Sequence, residues 1–160
     1  MKTLFLVRHA KSDWNIDASD FDRPLNERGH RDAPKMAKYL LDNGFLIEHF
    51  VSSPAKRALT TCRYFAETFG NPNIKKTEDL YEPLLEDFTN TITKLDNVFS
   101  SAALFSHNPT ISEFASSLTE NVLGFPTCAV AVFQVDCDDW SDFELSEKKL
   151  SHFFIPKEVL

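Results

Sequence analysis

After Met1-Lys2 the chain reads Thr3-Leu4-Phe5-Leu6-Val7-Arg8-His9-Ala10. The first five of these residues form a continuous apolar and β-prone run, which is typical of a strand buried on both faces, as in parallel sheets. Arg8 and His9 follow that run directly. The segment therefore predicts a buried first strand with two polar side chains at its carboxyl end.

Strand and helix patterns alternate beyond this segment. A polar stretch reaches to about Asn26, and apolar residues then recur at helical spacing over 33–41 before Asn43-Gly44 ends the helix. Phe50-Val51-Ser52 predicts a second strand. Ser53-Pro54 predicts the start of the next helix, with serine as the cap and proline as the first helical residue.

The second half of the chain repeats the alternation. It contains a weak strand near 76–80, a helix over 84–95, a strand over 102–105, a helix opened by Asn108-Pro109, and strands over 129–135 and 150–155. Such an order predicts an α/β fold, a three-layer sandwich with a mainly parallel central sheet flanked by helices. Because the length of 160 residues and the hydrophobic fraction of 42% suit one core, we expect a single domain over 1–160.

Composition narrows the classes of partner and the location. The formal net charge of −7 argues against nucleic acid or an anionic membrane as a partner, since both require excess Lys and Arg. No apolar run is long enough to cross a bilayer, and the chain starts without a leader pattern, so we expect a cytoplasmic protein. The three cysteines are widely spaced, which indicates neither a disulfide framework nor a zinc site.

The candidate site follows from the predicted strand ends. In open α/β sheets the active crevice lies beyond the carboxyl ends of the strands. Arg8-His9 and His107 follow two predicted strands directly, and Arg57 lies in the first turn of a helix that follows a third. Because helical side chains lean toward the helix N-terminus, Arg57 should point back at the strand ends. Two histidines and two arginines are thus expected to converge.

These residue types suit phosphoryl transfer. A neutral imidazole attacks phosphorus through one ring nitrogen when a hydrogen bond holds the proton on the other, and we assign this role to His9. Guanidinium groups such as Arg8 and Arg57 keep the ring neutral and match phosphate oxygens two at a time. His107 is suited to donate to the non-bridging oxygens. Each of these four residues alone is weak evidence for phosphoryl transfer. The inference depends on all four being expected near the same strand ends.

The motifs together resemble the histidine phosphatase superfamily. They are Arg8-His9-Ala10, Ser53-Pro54-Ala55-Lys56-Arg57-Ala58 and Ser106-His107-Asn108-Pro109. The segment from Asp22 to Gly29 and Leu80-Tyr81 resemble its compact branch, the SixA-type phosphohistidine phosphatases. The resemblance implies a phosphoglycerate mutase-like fold without large lid insertions. It also implies a phosphohistidine intermediate on His9, a phosphate pocket of Arg8, Arg57 and His107, and no metal or other cofactor.

Further substrate-binding candidates lie near these motifs. Arg23 matches a recurring position of the SixA-type branch, where it would bind the phosphate or the next group of the substrate. Lys11, Asn15 and Asn108 are additional candidates. A loop cation is more often simply solvated, by about two to one.

The general acid that protonates the leaving group is harder to identify. Glu82 lies nearest the expected place in chain order, and Asp13 and Asp22 follow His9 in the loop. For each carboxylate a solvated surface position is the commoner interpretation. A phosphoramidate leaving group departs more easily than an alkoxide, so a phosphohistidine phosphatase would work with a weak acid or none.

Several functions are compatible with this pocket. Short connections predict an open site, which suits a bulky substrate such as a phosphohistidine-bearing signalling protein. A small phosphomonoester or sugar phosphate and a non-catalytic phosphate-reading module are the alternatives. A metal hydrolase using His9, His107 and Asp13 lacks the usual short ligand spacing. A mutase would need covering segments to protect its intermediate from water.

Overall fold

The computed structural model describes all residues from Met1 to Leu160, and its centre is a sheet of six strands. The strands are β1 (Lys2–Arg8), β2 (His49–Ser52), β3 (Ile74–Lys76), β4 (Ser101–Ser106), β5 (Val130–Val135) and β6 (Lys148–Phe154). Their order is β3-β2-β4-β1-β5-β6. The first four strands in this order pair in parallel, whereas β5 and β6 pair antiparallel. The prediction of a mainly parallel sheet is confirmed, with an antiparallel edge.

Helices cover both faces of the sheet. They are α1 (Glu27–Asp42), α2 (Lys56–Thr68), α3 (Leu85–Thr93), α4 (Thr110–Ser117) and α5 (Pro156–Val159), with short 3-10 helices at Glu78–Leu80 and Trp140–Leu145. The core residues of α1 and α2 pack on one face, and those of α3, α4 and the second 3-10 helix pack on the other. None of these helices is long and apolar enough to span a membrane.

Strand β1 separates the two halves of the core. Leu4 and Leu6 pack into one apolar cluster, and Phe5 and Val7 pack into the other. Successive residues of a strand point to opposite faces, and an apolar cluster covers each face, so all four side chains are fully buried. This arrangement explains why the opening run is continuously apolar rather than alternating.

The parallel register brings three strand ends to one edge of the sheet. Arg8, the last residue of β1, pairs with Ser106, the last residue of β4. Ser52 at the end of β2 pairs with Phe105. The residues that follow these strands therefore leave the sheet side by side, as the sequence predicted.

Three local predictions need correction. Helix α2 begins at Lys56 with Ala55 as its cap, two residues later than Ser53-Pro54 predicted, because Ala55 has a non-helical ψ of 136°. Ser53 Oγ closes a turn before the helix by accepting from the backbone N–H of Ala55 at 3.2 Å. Helix α4 begins at Thr110 with no side-chain cap.

The cap of α4 and the end of the third strand also differ from the predictions, for equally local reasons. Asn108 Oδ1, the atom that would cap α4, accepts from the Ser112 hydroxyl rather than from a backbone N–H, and the amide nitrogen donates to the carbonyl oxygen of Phe125 at 2.9 Å, so Asn108 does not cap the helix. The strand expected over 76–80 ends at Lys76. There the Thr77 hydroxyl caps the 3-10 helix that follows, accepting from the backbone N–H of Asp79 at 3.3 Å.

The start of α1 packs tightly against the loop that follows His9. Asn26 caps the helix by accepting from the backbone N–H of Gly29 at 2.9 Å. The backbone N–H of Asn26 in turn donates to the carbonyl oxygen of Lys11 at 3.0 Å. A Cβ atom at Gly29 would lie 2.1 Å from that carbonyl oxygen, so only glycine allows this approach.

We predict that Gly29→Ala lowers the free energy of unfolding by about 1–3 kcal/mol, since the added methyl group forces two backbone segments apart. Urea unfolding at equilibrium measures the loss. Gly124→Ala is the matched control because a Cβ there meets no atom within 4 Å. Equal stability of the two variants would contradict the close contact at Gly29.

Candidate active site

The backbone of His9 is fixed by both neighbouring strands. Its N–H donates to the carbonyl oxygen of Ser106 at the end of β4, at 3.2 Å. Its carbonyl oxygen accepts from the N–H of Cys128, just before β5, at 3.0 Å. The turn after β1 is therefore an extension of the sheet rather than a free loop.

Thr61 ties this turn to helix α2. Its hydroxyl accepts from the N–H of Ala10 at 3.0 Å and donates to the carbonyl oxygen of Arg57 at 2.7 Å. The side chain is fully buried. Thr61 was not predicted from the sequence, because a threonine on the inner face of a helix carries no signal that distinguishes it from core packing.

The imidazole of His9 is held in one tautomer. Nδ1 lies 2.7 Å from the carbonyl oxygen of Ala10, which can only accept, so Nδ1 carries the proton and Nε2 has a free lone pair. The side chain is buried. Burial lowers the pKa of His9 well below its usual value, and the charges of Arg57 and Arg8 act in the same direction. The ring is therefore neutral and suited to act as a nucleophile.

His107 faces His9, with 5.2 Å between the ring centroids. Its Nε2 lies 2.8 Å from Ser53 Oγ, and that oxygen already accepts from the N–H of Ala55 at 3.2 Å. The Ser53 hydroxyl hydrogen has no acceptor other than Nε2, so it is assigned to that bond and the ring proton is assigned to Nδ1. Nδ1 is buried and has no hydrogen-bond partner within the protein. Burial, followed by the charge of Arg57, lowers the pKa of His107 to about 3.

Arg8 and Arg57 add further open donors. Arg8 Nη1 donates to the carbonyl oxygen of Phe125 at 2.9 Å, which orients its guanidinium group. The Nε atoms of both arginines are buried without a partner. A buried donor without a partner carries a desolvation penalty of about 1–3 kcal/mol. Together with His107 Nδ1, these donors favour binding of an anion close to His9.

A carboxylate that sequence analysis did not identify joins the arginines. Asp20 accepts from Arg57 Nη2 at 3.1 Å, from Arg23 Nη1 at 2.9 Å and from the Tyr81 hydroxyl at 2.7 Å. These hydrogen bonds, that of Tyr81 foremost, hold the pKa of Asp20 well below its usual range. Asp20 lies in a polar loop with several acidic residues, so its sequence position alone does not set it apart.

Arg23 lies beside this group. The side chain is largely buried, and its Nε donates to Ser12 Oγ at 3.0 Å. Its guanidinium carbon lies 3.7 Å from the centre of the Trp14 ring. The structure thus brings Arg23 together with Arg57 through Asp20.

Glu82 and Asn108 line a cleft of about 420 Å³ together with Arg57 and His107. Glu82 is exposed and has a φ of 49°, in the left-handed region. The amide nitrogen of Asn108 donates to the same Phe125 carbonyl oxygen that Arg8 binds. Asn108 and Arg8 therefore share one backbone acceptor.

The remaining candidates lie elsewhere. Lys11 and Asn15 line a second depression, which also contains Asp13 and shares no lining residue with the cleft at Arg57 and His107. Asp13 accepts from the backbone N–H of Asn15 at 2.9 Å. Lys11 and Asn15, which were predicted to bind substrate, would contact only a substrate that extends over the loop of residues 12–25.

Comparison with known proteins identifies the family. The model of the histidine phosphatase superfamily (branch 1) matches residues 4–96, more than half of the chain. The chain belongs to the histidine phosphatase superfamily. An uncharacterised chloroplastic protein of Arabidopsis thaliana is 30% identical over 157 residues, covering 91% of this chain and 72% of that protein.

Solved structures place the chain within the superfamily. A crystal structure of the protein assigned as phosphohistidine phosphatase SixA in Agrobacterium tumefaciens has a TM-score of 0.82 and 28% identity, covering 97% of this chain and 98% of that one. The protein histidine phosphatase SixA in complex with tungstate has a TM-score of 0.85 and 23% identity, covering 99% of each chain. The predicted SixA-type branch of the histidine phosphatases and its fold without large insertions are confirmed. These likenesses also support phosphatase activity.

The two histidines predict a pH dependence of folding. Because burial lowers the pKa of both rings in the folded state, the unfolded chain binds protons that the folded chain excludes below about pH 6.5. Their contribution to stability is complete above that pH and is lost as the pH falls below it, for His107 down to about 3. The slope approaches about 1.4 kcal/mol per pH unit for each ring.

Urea unfolding of the protein and of His107→Asn at several pH values between 4 and 7 measures this slope. We expect a shallower dependence on pH in the variant. Parallel curves for the two proteins would contradict a neutral, buried His107.

Proposed function

We propose that residues 1–160 act as one histidine phosphatase domain that removes phosphoryl groups, foremost from phosphohistidine on a protein, through a covalent phosphohistidine on His9. The observation that carries this proposal is the neutral ring of His9, which has its proton fixed on Nδ1 and faces His107, whose Nδ1 is buried without a partner, as are the Nε atoms of Arg8 and Arg57. Such an arrangement supplies a nucleophile and an anion site at the same place.

In the first step, the Nε2 lone pair of His9 attacks phosphorus. The new N–P bond forms as the bond to the leaving group breaks, and the leaving group takes its proton from solvent water as it departs. Arg8 Nε, Arg57 Nε and His107 Nδ1 donate to the non-bridging oxygens, where charge is spread in the transition state. In the second step, water attacks phosphorus and the N–P bond breaks, which releases inorganic phosphate and restores neutral His9.

The leaving group of a phosphohistidine substrate is an imidazole, which departs without strong acid assistance. The exposed Glu82 makes no hydrogen bond to the residues that surround His9, and Asp20 is held ionised by its three partners. No carboxylic acid is thus poised beside the anion site. This arrangement favours phosphoramidates over alkyl phosphates.

The open cleft supports a macromolecular substrate. It is bordered by the exposed Glu82 and by the 12–25 loop, and no large insertion covers it. A phosphorylated signalling protein in the cytoplasm is the partner we propose. The cationic side chains supply the charge stabilisation that a metal ion provides in other phosphatases, so we propose turnover without a metal.

A panel of substrates tests this function. We expect faster turnover of a phosphohistidine protein than of free phosphohistidine, and the slowest turnover with small phosphate esters. His9→Ala should lower the rate by on the order of a thousandfold or more, as loss of a nucleophile does elsewhere. Release of inorganic phosphate is the measurement, with and without a chelator.

Different outcomes identify the alternatives. Preference for small esters would indicate a small-molecule phosphomonoesterase. Binding of the phosphoprotein without release of phosphate would indicate a reader module. Loss of activity with the chelator would contradict a metal-independent site.

Substitution of the acid candidates tests the leaving-group argument. We predict that Glu82→Gln and Asp13→Asn each change phosphohistidine turnover by less than about threefold, whereas loss of a working general acid costs about a hundredfold to ten-thousandfold. Steady-state kcat measures the effect. A steep loss in either variant would assign the acid to that residue.

A further inference from the structure

From these contacts we propose that Asp20 is a positioning residue, which holds Arg57 and Arg23 in the orientation that presents Arg57 Nε to the substrate phosphate. This inference rests on the proposed function. Asp20 carries a negative charge and contacts Arg57 and Arg23, although the site that contains these arginines is proposed to bind an anion.

Asp20 binds the far end of Arg57. The backbone carbonyl oxygen of Asp20 accepts from Arg57 Nη1, and its carboxylate accepts from Arg57 Nη2 at 3.1 Å. The guanidinium group is planar, so fixing both terminal nitrogens fixes the direction of the third. Nε is the atom left without a partner, and it is buried.

The other carboxylate oxygen binds Arg23. Asp20 Oδ1 accepts from Arg23 Nη1 at 2.9 Å, and Arg23 Nε is held by Ser12 Oγ. One carboxylate therefore connects the loop arginine with the helix arginine. The Tyr81 hydroxyl donates to Asp20 Oδ2 at 2.7 Å and so also fixes the carboxylate.

The backbone around Asp20 is itself anchored. The carbonyl oxygen of Phe21 accepts from the N–H of Lys56, the first residue of α2, at 2.9 Å. The loop base is closed by a bridge between Ser12 and Leu25. Asp20 thus has its position set by the loop and the helix start, which favours a fixed support over a carboxylate that swings aside when phosphate arrives.

Two roles of Asp20 predict opposite effects on the catalytic rate when its carboxylate is removed. If Asp20 holds Arg57 in place, it stabilises the transition state through Arg57, and its removal lowers kcat. This loss is expected even if removal of the negative charge tightens the binding of phosphate. A carboxylate that merely competes with phosphate would slow the enzyme, so its removal would raise kcat/KM. The split between kcat and anion affinity separates these roles.

The test compares Asp20→Ala and Asp20→Asn with Asp17→Ala, which removes an exposed carboxylate from the same loop. We expect kcat to fall about 10- to 100-fold in both Asp20 variants, up to the roughly hundredfold cost that a misplacement of about 1 Å can have. The dissociation constant for inorganic phosphate, measured by calorimetry, should stay within about threefold or decrease. Asp17→Ala should match the wild type.

A double-mutant cycle tests whether Tyr81 acts through Asp20. Tyr81→Phe keeps the ring that packs against His107 and removes only the hydroxyl. We expect this substitution to lower kcat about threefold alone and to have no further effect in the Asp20→Ala background, because coupled residues are not additive. Additive losses would show that Tyr81 acts independently.

A measurement that does not depend on turnover tests the positioning role of Asp20 separately from the proposed phosphatase activity. In ¹⁵N NMR of the wild type, we expect a resolved Arg57 Nε–H signal with hindered rotation of the guanidinium group, and loss of that restriction in Asp20→Ala. An inactive wild type with these signals would refute the phosphatase and leave the positioning role standing. Unchanged or higher kcat in the Asp20 variants, or unchanged Arg57 signals, would overturn the positioning role.

Discussion

The hydrogen bond from His9 Nδ1 to the carbonyl oxygen of Ala10 sets the chemistry of the whole site. It fixes which nitrogen carries the proton, and so which nitrogen has the lone pair. The bond itself depends on the turn after β1, whose backbone is held by Ser106, Cys128 and the Thr61 hydroxyl. Burial then keeps the ring neutral, since the pKa of His9 is lowered well below its usual value.

The parallel sheet explains how an acidic protein concentrates positive charge at one place. The register of β1, β2 and β4 delivers residues from three distant parts of the chain to one edge. Arg8, Arg57 and Arg23 meet there despite a net charge of −7. Asp20 binds two of the guanidinium groups, and it leaves the buried Nε of Arg57 without a protein partner.

The fold and the core of the site were predictable because they depend on local patterns. The apolar run from Thr3 to Val7 specifies a buried strand, and the residues after strand ends are placed by the topology of parallel sheets. Asp20 and Thr61 were not predictable, because their contacts join segments far apart in sequence and their residue types are common on loops and helices. Helix starts were misplaced by one or two residues where side chains serve the site, as Ser53 does for His107.

Covalent trapping of the phosphoryl group is the most direct measurement. The protein is pulsed with a phosphohistidine donor, quenched at alkaline pH, and examined by ³¹P NMR and by mass spectrometry of its peptides. The hydrogen bond of His9 predicts an acid-labile phosphoryl group on Nε2 of that residue and no adduct in His9→Ala. An adduct on Nδ1, an adduct on another residue, or turnover without any adduct would contradict the proposed nucleophile.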